Sequence, residues 1–220
     1  MRQVTMQTLR RLPVYLDYLK SLAPEPPAHI SATTIAEALR LGEVQVRKDL
    51  ALVSGGGRPK LGYCTAELIT DLEEFLGYDD VKSAVLMGTG HLGLALLSYE
   101  GFKECGLDIV AGFDINPALI GTEYCGKPIL AMEKLGELCD RLNLHIGIIT
   151  VPGFWAQGVC DILIKHGIKA IWNFAHTDLK LPEDVIVESV HLSDSLMQLS
   201  YNMSNYNKNK NKKQGRTKEK

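Results

Sequence analysis

The sequence predicts an α/β chain: a doubly wound parallel sheet preceded by a small helical head. Three observations predict it. From residue 83 onward, short apolar runs alternate with helical periodicities, as in βαβ units whose strands are buried on both faces. The first of those runs leads straight into Gly88-Thr89-Gly90-His91-Leu92-Gly93, glycines spaced for a strand, a tight turn and a helix. Before residue 80 the texture is different, with helical spacings, turns and a glycine cluster.

Composition narrows the class. A chain of 220 residues holds one large domain or two small ones. Its hydrophobic fraction of 45% and charged fraction of 23% exclude an intrinsically disordered protein. No run of about 18 apolar residues occurs, so no membrane span is expected. No apolar signal core follows Met1-Arg2-Gln3-Val4, so secretion is not expected. Five scattered cysteines, at 64, 105, 125, 139 and 160, suit a reducing, cytoplasmic setting rather than a disulfide framework. They contain no Cys-x-x-Cys pair, and no metal is expected.

The net charge of -2 conceals three regions. Residues 1–60 carry +4, residues 61–203 carry -12, and residues 204–220 carry +6. A polyanion would be repelled by the middle and held by the first sixty residues.

The head begins with a helix over residues 10–22, where Leu12, Tyr15, Leu16 and Leu19 recur at helical spacing. Pro13 fits there only near the first turn. Pro24-Glu25-Pro26-Pro27 ends it. A second helix is expected over residues 31–41, with Thr34 and Glu37 as its capping box. Gly42 breaks the chain, and a third helix runs over residues 43–53. Val46, Leu50 and Val53 form its buried face, while Gln45, Arg47 and Lys48 lie on or beside its polar face. Short helix, tight turn, short helix with an exposed basic face is the helix-turn-helix pattern of a DNA reader. Arg47 and Lys48 would hold phosphates, and Gln45 would read a base edge. The glycines at 55, 56 and 57 would make a thin hairpin tip, a wing whose Arg58 and Lys60 border the minor groove. Thr65 would cap a fourth helix, carrying Leu68, Leu72, Phe75 and Leu76 and ending at Gly77. Tyr78-Asp79-Asp80 is the expected boundary, giving a winged head over residues 1–80.

The second domain spans residues 81–190. Strands are expected at residues 83–87, 107–113, 144–151, 168–173 and 185–190, with helices at 91–103, 132–142 and 154–166. A last helix covers residues 191–203, and the Asn- and Lys-rich residues 204–220 are expected to be a disordered basic tail.

The glycine motif sits in the context it requires. Gly88 makes the turn, Gly90 lets a pyrophosphate approach the backbone, and Gly93 lets the helix pack on the sheet. Thr89, His91 and Leu92 complete the loop that would face a dinucleotide. Asp114, directly after the second strand, would accept the ribose hydroxyls and repel a 2'-phosphate, favouring NADH and NAD+ over NADPH. Val151-Pro152 and Asn173-Phe174 end the next two strands at the same sheet edge, as further cofactor contacts or as ordinary loops.

A catalytic group is harder to find. Tyr99 and Lys103 stand in a Tyr-x-x-x-Lys spacing, but on the helix just after the glycine loop, too early for a dehydrogenase pair. His176 and His191 have no acid at a recognisable spacing. No catalytic group is assigned, so no enzyme activity is expected; a small NAD-dependent oxidoreductase and a DNA binder uncoupled from any cofactor stay open as alternatives.

Taken together, these motifs resemble the Rex redox-sensing transcriptional repressors of bacteria. The head carries Arg11-Leu12-Pro13-x-Tyr15-Leu16, Gln45-Val46-Arg47-Lys48-Asp49-Leu50 and Leu61-Gly62-Tyr63. The second domain carries Gly88-x-Gly90-x-Leu92-Gly93 with Tyr99, Phe113-Asp114, Val151-Pro152 with Ala156-Gln157, and Gly167-Ile168-Lys169-Ala170-Ile171 with Asn173-Phe174-Ala175. The resemblance implies a homodimer that binds a palindromic double-stranded operator and is released by NADH. It also implies a C-terminal helix swapped onto the partner, and Tyr99 as a contact on the nicotinamide side. The chain departs from the family in two places. Ala51-Leu52-Val53-Ser54-Gly55-Gly56-Gly57 replaces an aromatic Ser-Tyr-Phe-Gly segment, and His191 stands where the family usually has aspartate.

Overall fold

The computed structural model describes residues 4–59, 61–78 and 82–217, apart from the side chains of 192 and 207–217. Lys60 and the Asp79-Asp80 link therefore lie outside the described residues. The chain divides into two compact units: residues 1–81 with 101–106, and residues 82–100 with 107–220.

In the first unit, α1 (Met6–Ser21) starts four residues before the sequence places it, because the Thr5 side chain caps it by accepting from Thr8 N. Pro13 is therefore a mid-helix residue. The lost backbone donor is tolerated because Leu12, Tyr15, Leu16 and Leu19 around it are buried and hold the helix in place. β1 (His29–Ile30) leads to α2 (Ala32–Leu39), capped by Ser31 and not by Thr34, which is the residue that donates its N–H to that cap. The turn into α3 (Glu43–Val53) uses Arg40 in a left-handed conformation, with Gly42 serving as the cap of α3. The hairpin closes later than the glycines suggest. Arg58 and Gly62 exchange backbone hydrogen bonds of 2.7 and 2.9 Å, and residues 55–57 lead into that turn. β2 (Tyr63–Cys64) pairs antiparallel with β1. α4 (Thr65–Leu76) follows, and Thr65 does not cap it; its hydroxyl donates to Pro27 O at 2.5 Å and so ties the helix to the loop after α1. One apolar core, centred on Leu12, Tyr15, Leu16, Ile35, Leu50 and Leu72, holds these helices together.

The second unit begins with β3 (Lys82–Met87). The expected helix over residues 91–103 is broken into α5 (His91–Leu97) and α6 (Gly101–Glu104), and α6 clusters with the first unit. The break falls at Ser98-Tyr99-Glu100, just before Gly101, a weak helix former. β4 (Leu107–Asp114) is followed by a short hairpin the sequence did not announce, β5 (Glu123–Tyr124) and β6 (Lys127–Ala131), turning on Cys125 and Gly126. A single 3-10 turn, Met132–Lys134, runs into α7 (Leu135–Leu142). Then come β7 (Ile146–Ile149), α8 (Gly153–Lys165), β8 (Ala170–Asn173), β9 (Ile186–Ser189) and α9 (Leu192–Thr217). The sheet order is β5-β6-β4-β3-β7-β8-β9, parallel throughout except for β5. From β6 to β9 this is the doubly wound dinucleotide-binding order, reversing direction at β3.

α9 continues to Thr217, where the composition predicts a helix ending near residue 203 and a disordered tail. No proline interrupts it and the first glycine is Gly215, so nothing breaks the helix once the apolar residues before Tyr206 have set it.

Candidate nucleotide cleft and nucleic-acid interface

The strand order reverses at β3, and the carboxyl ends of β3, β4 and β7 frame a cleft of about 640 Å³. That is the size and the location expected of a nucleotide site in an open α/β sheet. Thr150 laces its floor. The hydroxyl donates to Gly88 O at 2.6 Å and the backbone N–H to Met87 O at 3.0 Å, which ties the end of β7 to the glycine turn.

The glycines have distinct geometric demands. Gly88 has φ of +96°, and a Cβ there would lie 2.8 Å from Val151 Cγ1. A Cβ on Gly93 would lie 2.0 Å from Gly88 O, so α5 seats directly on the turn. Gly90 is different: nothing lies within 4 Å of where its Cβ would be. Two glycines are required by packing, and the third leaves bare backbone facing open space.

Asp114 ends β4 beside this turn. Its Oδ2 accepts from Thr89 N at 2.7 Å and from Thr89 Oγ1 at 2.8 Å. Its Oδ1 accepts from Ile115 N at 2.8 Å and from Asn116 N at 2.9 Å. Burial pushes the carboxyl up, but these four donors outweigh it and hold the group below the ordinary carboxylate value. All four acceptor positions of the carboxylate are thus filled from within the chain.

The structure brings Gly88, Gly90, Asp114, Val151 and Pro152 to the cleft wall. Thr89 is buried behind it, against Asp114. Gly93 is a buried residue of α5, on the side that seats on the glycine turn, and His91 is the exposed first residue of that helix. Leu92, Tyr99, Asn173 and Phe174 lie outside the lining. Tyr99 is 58% exposed, after the end of α5. Asn173 is fully buried and engaged internally. Its Nδ2 donates to Thr177 O at 2.9 Å and Ser189 Oγ at 3.3 Å, and its Oδ1 accepts from Ala175 N at 2.9 Å. Phe174 packs on Trp172 with ring centroids 4.7 Å apart.

Sequence reasoning missed the apolar wall, formed by Met87, Phe113, Ile115, Met132, Trp155 and Val159. Trp155 is 58% exposed and sits 5.1 Å from the Phe154 ring. Two adjacent aromatics directly after Val151-Pro152-Gly153 were the available signal, since large exposed rings beside a strand end are seldom structural.

In the head, the buried Asp49 gathers hydrogen bonds from α1 and α3. Arg11 grips it with Nε at 2.7 Å and Nη2 at 3.1 Å, Tyr15 OH donates at 2.9 Å and Thr8 Oγ1 at 3.2 Å. Gln45 Nε2 donates to the same carboxylate at 2.9 Å. One amide N–H and the carbonyl oxygen of Gln45 remain to face outward. Burial pushes the Asp49 carboxyl up, but the Arg11, Tyr15 and Gln45 donors hold it below its ordinary value. Burial and the hydrogen bond to Asp49 push the Tyr15 hydroxyl up to about 12. Arg47 and Lys48 are exposed on the same helix, with Arg47 paired to Glu43 one turn back. Arg58 is exposed at the hairpin.

Comparison with known proteins follows both halves. Residues 79–177 match the family model described as CoA binding domain, and residues 3–51 match that described as putative DNA-binding protein N-terminus. The redox-sensing transcriptional repressor Rex of Treponema denticola is 42% identical over 90% of this chain and 94% of its own. Rex of Bacteroides fragilis is 39% identical over 93% of both chains. Among solved structures, RSP in complex with β-NAD+ and operator DNA superposes with a TM-score of 0.87 at 37% identity, covering 97% of this chain and 98% of that one. RSP in complex with β-NADH superposes with a TM-score of 0.85 at 37% identity, covering 96% and 99%. At that identity over nearly its whole length, with a DNA-reading head joined to a dinucleotide cleft, this chain belongs to the Rex family of redox-sensing transcriptional repressors.

Proposed function

We propose that this protein represses transcription by binding operator DNA through its head, and that NADH entering the cleft of the second unit releases it. The single observation that carries the reading is the pairing of an ordered ribose acid, Asp114, with a bare glycine backbone at Gly90, in a chain whose relatives were solved with NADH and with NAD+ plus operator DNA.

The residues fit the cofactor. The diphosphate would approach Gly90, where no side chain intervenes, with Thr89, His91 and Leu92 completing the loop. A ribose hydroxyl would reach Asp114 by replacing the Thr89 hydroxyl, the one donor of the four that can rotate aside. The carboxylate, held ionised, would repel a 2'-phosphate. When bound, the nicotinamide supplies the signal, a ring that is cationic in NAD+ and neutral in NADH. The apolar wall lies beside Asp114, at the adenosine end, where it would seat the adenine ring. Tyr99, Asn173 and Phe174 are read as supports for the loops around the cofactor, with Asn173 acting through Thr177 and Ser189.

On the DNA side, Lys48 and Arg47 would meet phosphates, with Arg47 exchanging Glu43 for the backbone. Gln45, its amide fixed by Asp49, would read a base edge. Arg58 and Lys60 would border the minor groove. The working form is read as a cytoplasmic homodimer on a palindromic site. α9 supports that: Leu196, Leu199, Met203 and Tyr206 repeat at the spacing of a coiled-coil seam and are all exposed in the single chain. A second copy of the chain would cover them.

The test is a titration of the DNA–protein complex with NADH, NAD+ and NADPH at fixed salt. Selective release by NADH supports the reading, and operator DNA must then weaken NADH binding by the same factor. Equal release by NADPH removes the role of Asp114. No release by any of them leaves a DNA binder uncoupled from cofactor.

A further inference from the structure

Two histidines fifteen residues apart, with no motif joining them, meet at the carboxyl edge of the second unit. His176 lies on the loop after β8 and His191 immediately precedes α9. Their Nδ1 atoms are 3.3 Å apart, and the rings are edge to face with centroids 5.0 Å apart. Read as a hydrogen bond between neutral rings this contact is long, since such bonds cluster near 2.9–3.0 Å.

The spacing matches something else. Two imidazole nitrogens bound to one tetrahedral metal, each about 2.0–2.1 Å from it, stand roughly 3.3–3.4 Å apart. We propose that His176 and His191 form a two-imidazole site for a borderline divalent transition metal of the Ni²⁺, Co²⁺ and Zn²⁺ group, a class that imidazole suits. His176 is exposed and His191 half-buried, so the pair can be reached from solvent. Among the described residues no third histidine, cysteine or carboxylate joins them, so water or another small ligand fills the remaining positions.

Hydrogen bonds from one buried side chain hold the scaffold beneath, which a two-ligand site needs. Asn173 holds the His176 loop through Ala175 N and Thr177 O. It holds the His191 segment through Ser189 Oγ and through its own carbonyl, which accepts from Val190 N at 2.8 Å. One fully buried residue therefore sets the position of both ligands. A bound ion would clasp the entry of α9 to the loop after β8. That loop borders α8, since a Cβ on Gly153 would lie 3.6 Å from Thr177 Cβ.

The experiment uses the full-length reduced protein with Ni²⁺ by calorimetry, Co²⁺ by visible absorption, and melting with and without Ni²⁺. The expected result is one equivalent per chain and a Tm raised by the metal, with a cobalt spectrum lacking the thiolate charge-transfer band that Cys105 or Cys125 would give. H176Q and H191Q should each lose the binding and the Tm shift while keeping the metal-free Tm; C105S should retain both. Absence of saturable binding, binding unchanged in the two histidine variants, or binding that carries the thiolate band would each overturn the proposal.

Discussion

Replacing Asp49 by alanine tests whether the head depends on one buried carboxylate. Asp49 is 1% exposed and serves Arg11, Tyr15, Thr8 and Gln45 together. Deleting one member of a buried ion pair costs about 3–5 kcal/mol. The Arg11 side chain keeps 23% of its exposure and regains some hydration, which pulls the ion-pair part toward about 3 kcal/mol. The Tyr15 hydroxyl is fully buried and would lose its acceptor, at about 1–3 kcal/mol. These losses share one carboxylate and do not add. The expected total is about 3–5 kcal/mol, against about 5–15 kcal/mol for a typical domain. Urea unfolding followed by circular dichroism should show an early transition of the head, and operator binding should fall with it. NADH binding to the second unit should persist. D49N, which keeps the shape, should lose less. A D49A variant whose unfolding midpoint matches the parent would refute the reasoning. The pH dependence has a fixed sign. The folded Asp49 carboxyl lies below its ordinary value of 3.8, so its contribution is present above that pH and is lost as pH falls through the folded value. Tyr15 acts at the other end. Its hydroxyl is raised from 10.0 to about 12, so the stability it contributes is present below pH 10 and is lost as pH rises toward 12.

Three further outcomes are expected. D114N puts an amide N–H against donors from Thr89 or from Ile115 and Asn116; fluorescence titration should show NADH affinity falling about tenfold or more and the preference over NADPH narrowing, by analogy with the 1.5–3 kcal/mol of a hydrogen bond to a charged group. G93A drives a Cβ to 2.0 Å from Gly88 O, so the second unit should lose about 1–3 kcal/mol in thermal unfolding, together with NADH binding. Truncation after Tyr206 should leave the Tm and the dimer unchanged, whereas truncation after Val190 removes the exposed seam of α9 and should yield monomers by light scattering.

The sequence made some elements legible and hid others for physical reasons. The bounds of α3 are those its periodicity predicts, because Gly42 and the buried Val46 and Leu50 fix both its start and its face. The start of α1 was hidden because Thr5 as a cap is local information, and Pro13 pulled the expected start toward itself. The hairpin of β5 and β6 was hidden because its strands are short and its turn depends on Cys125 at φ +50° before Gly126 at +76°. A cysteine there gives no turn signal. The extent of α9 was hidden because composition reports the cost of ordering a chain, whereas a helix already begun by an apolar seam has only to propagate.

The site divides along the same line. Gly88, Gly93 and Asp114 were legible because backbone geometry and charge tie each of them to one residue type at one place in a strand-turn-helix. Trp155 was not, because the wall of a cleft asks only for apolar area, which many residue types supply. Gln45 was legible as a polar residue on an exposed face, but its orientation depends on Asp49, four residues away and buried. The His176–His191 contact was the least legible, since it exists only once β8 and β9 pair in register, Ala170 to Ile186 through Asn173 to Ser189. That register places residues 176 and 191 on consecutive loop ends, and Asn173 then fixes the distance between them. The residues set by chain geometry are therefore those a strand-turn-helix demands, and those set by tertiary register show only once the sheet is assembled. Comparing metal binding by H176Q with NADH binding by D114N separates the two groups. Each variant should lose its own ligand and keep the other, and a variant that loses both would show the loop after β8 and the cofactor cleft to be one cooperative unit.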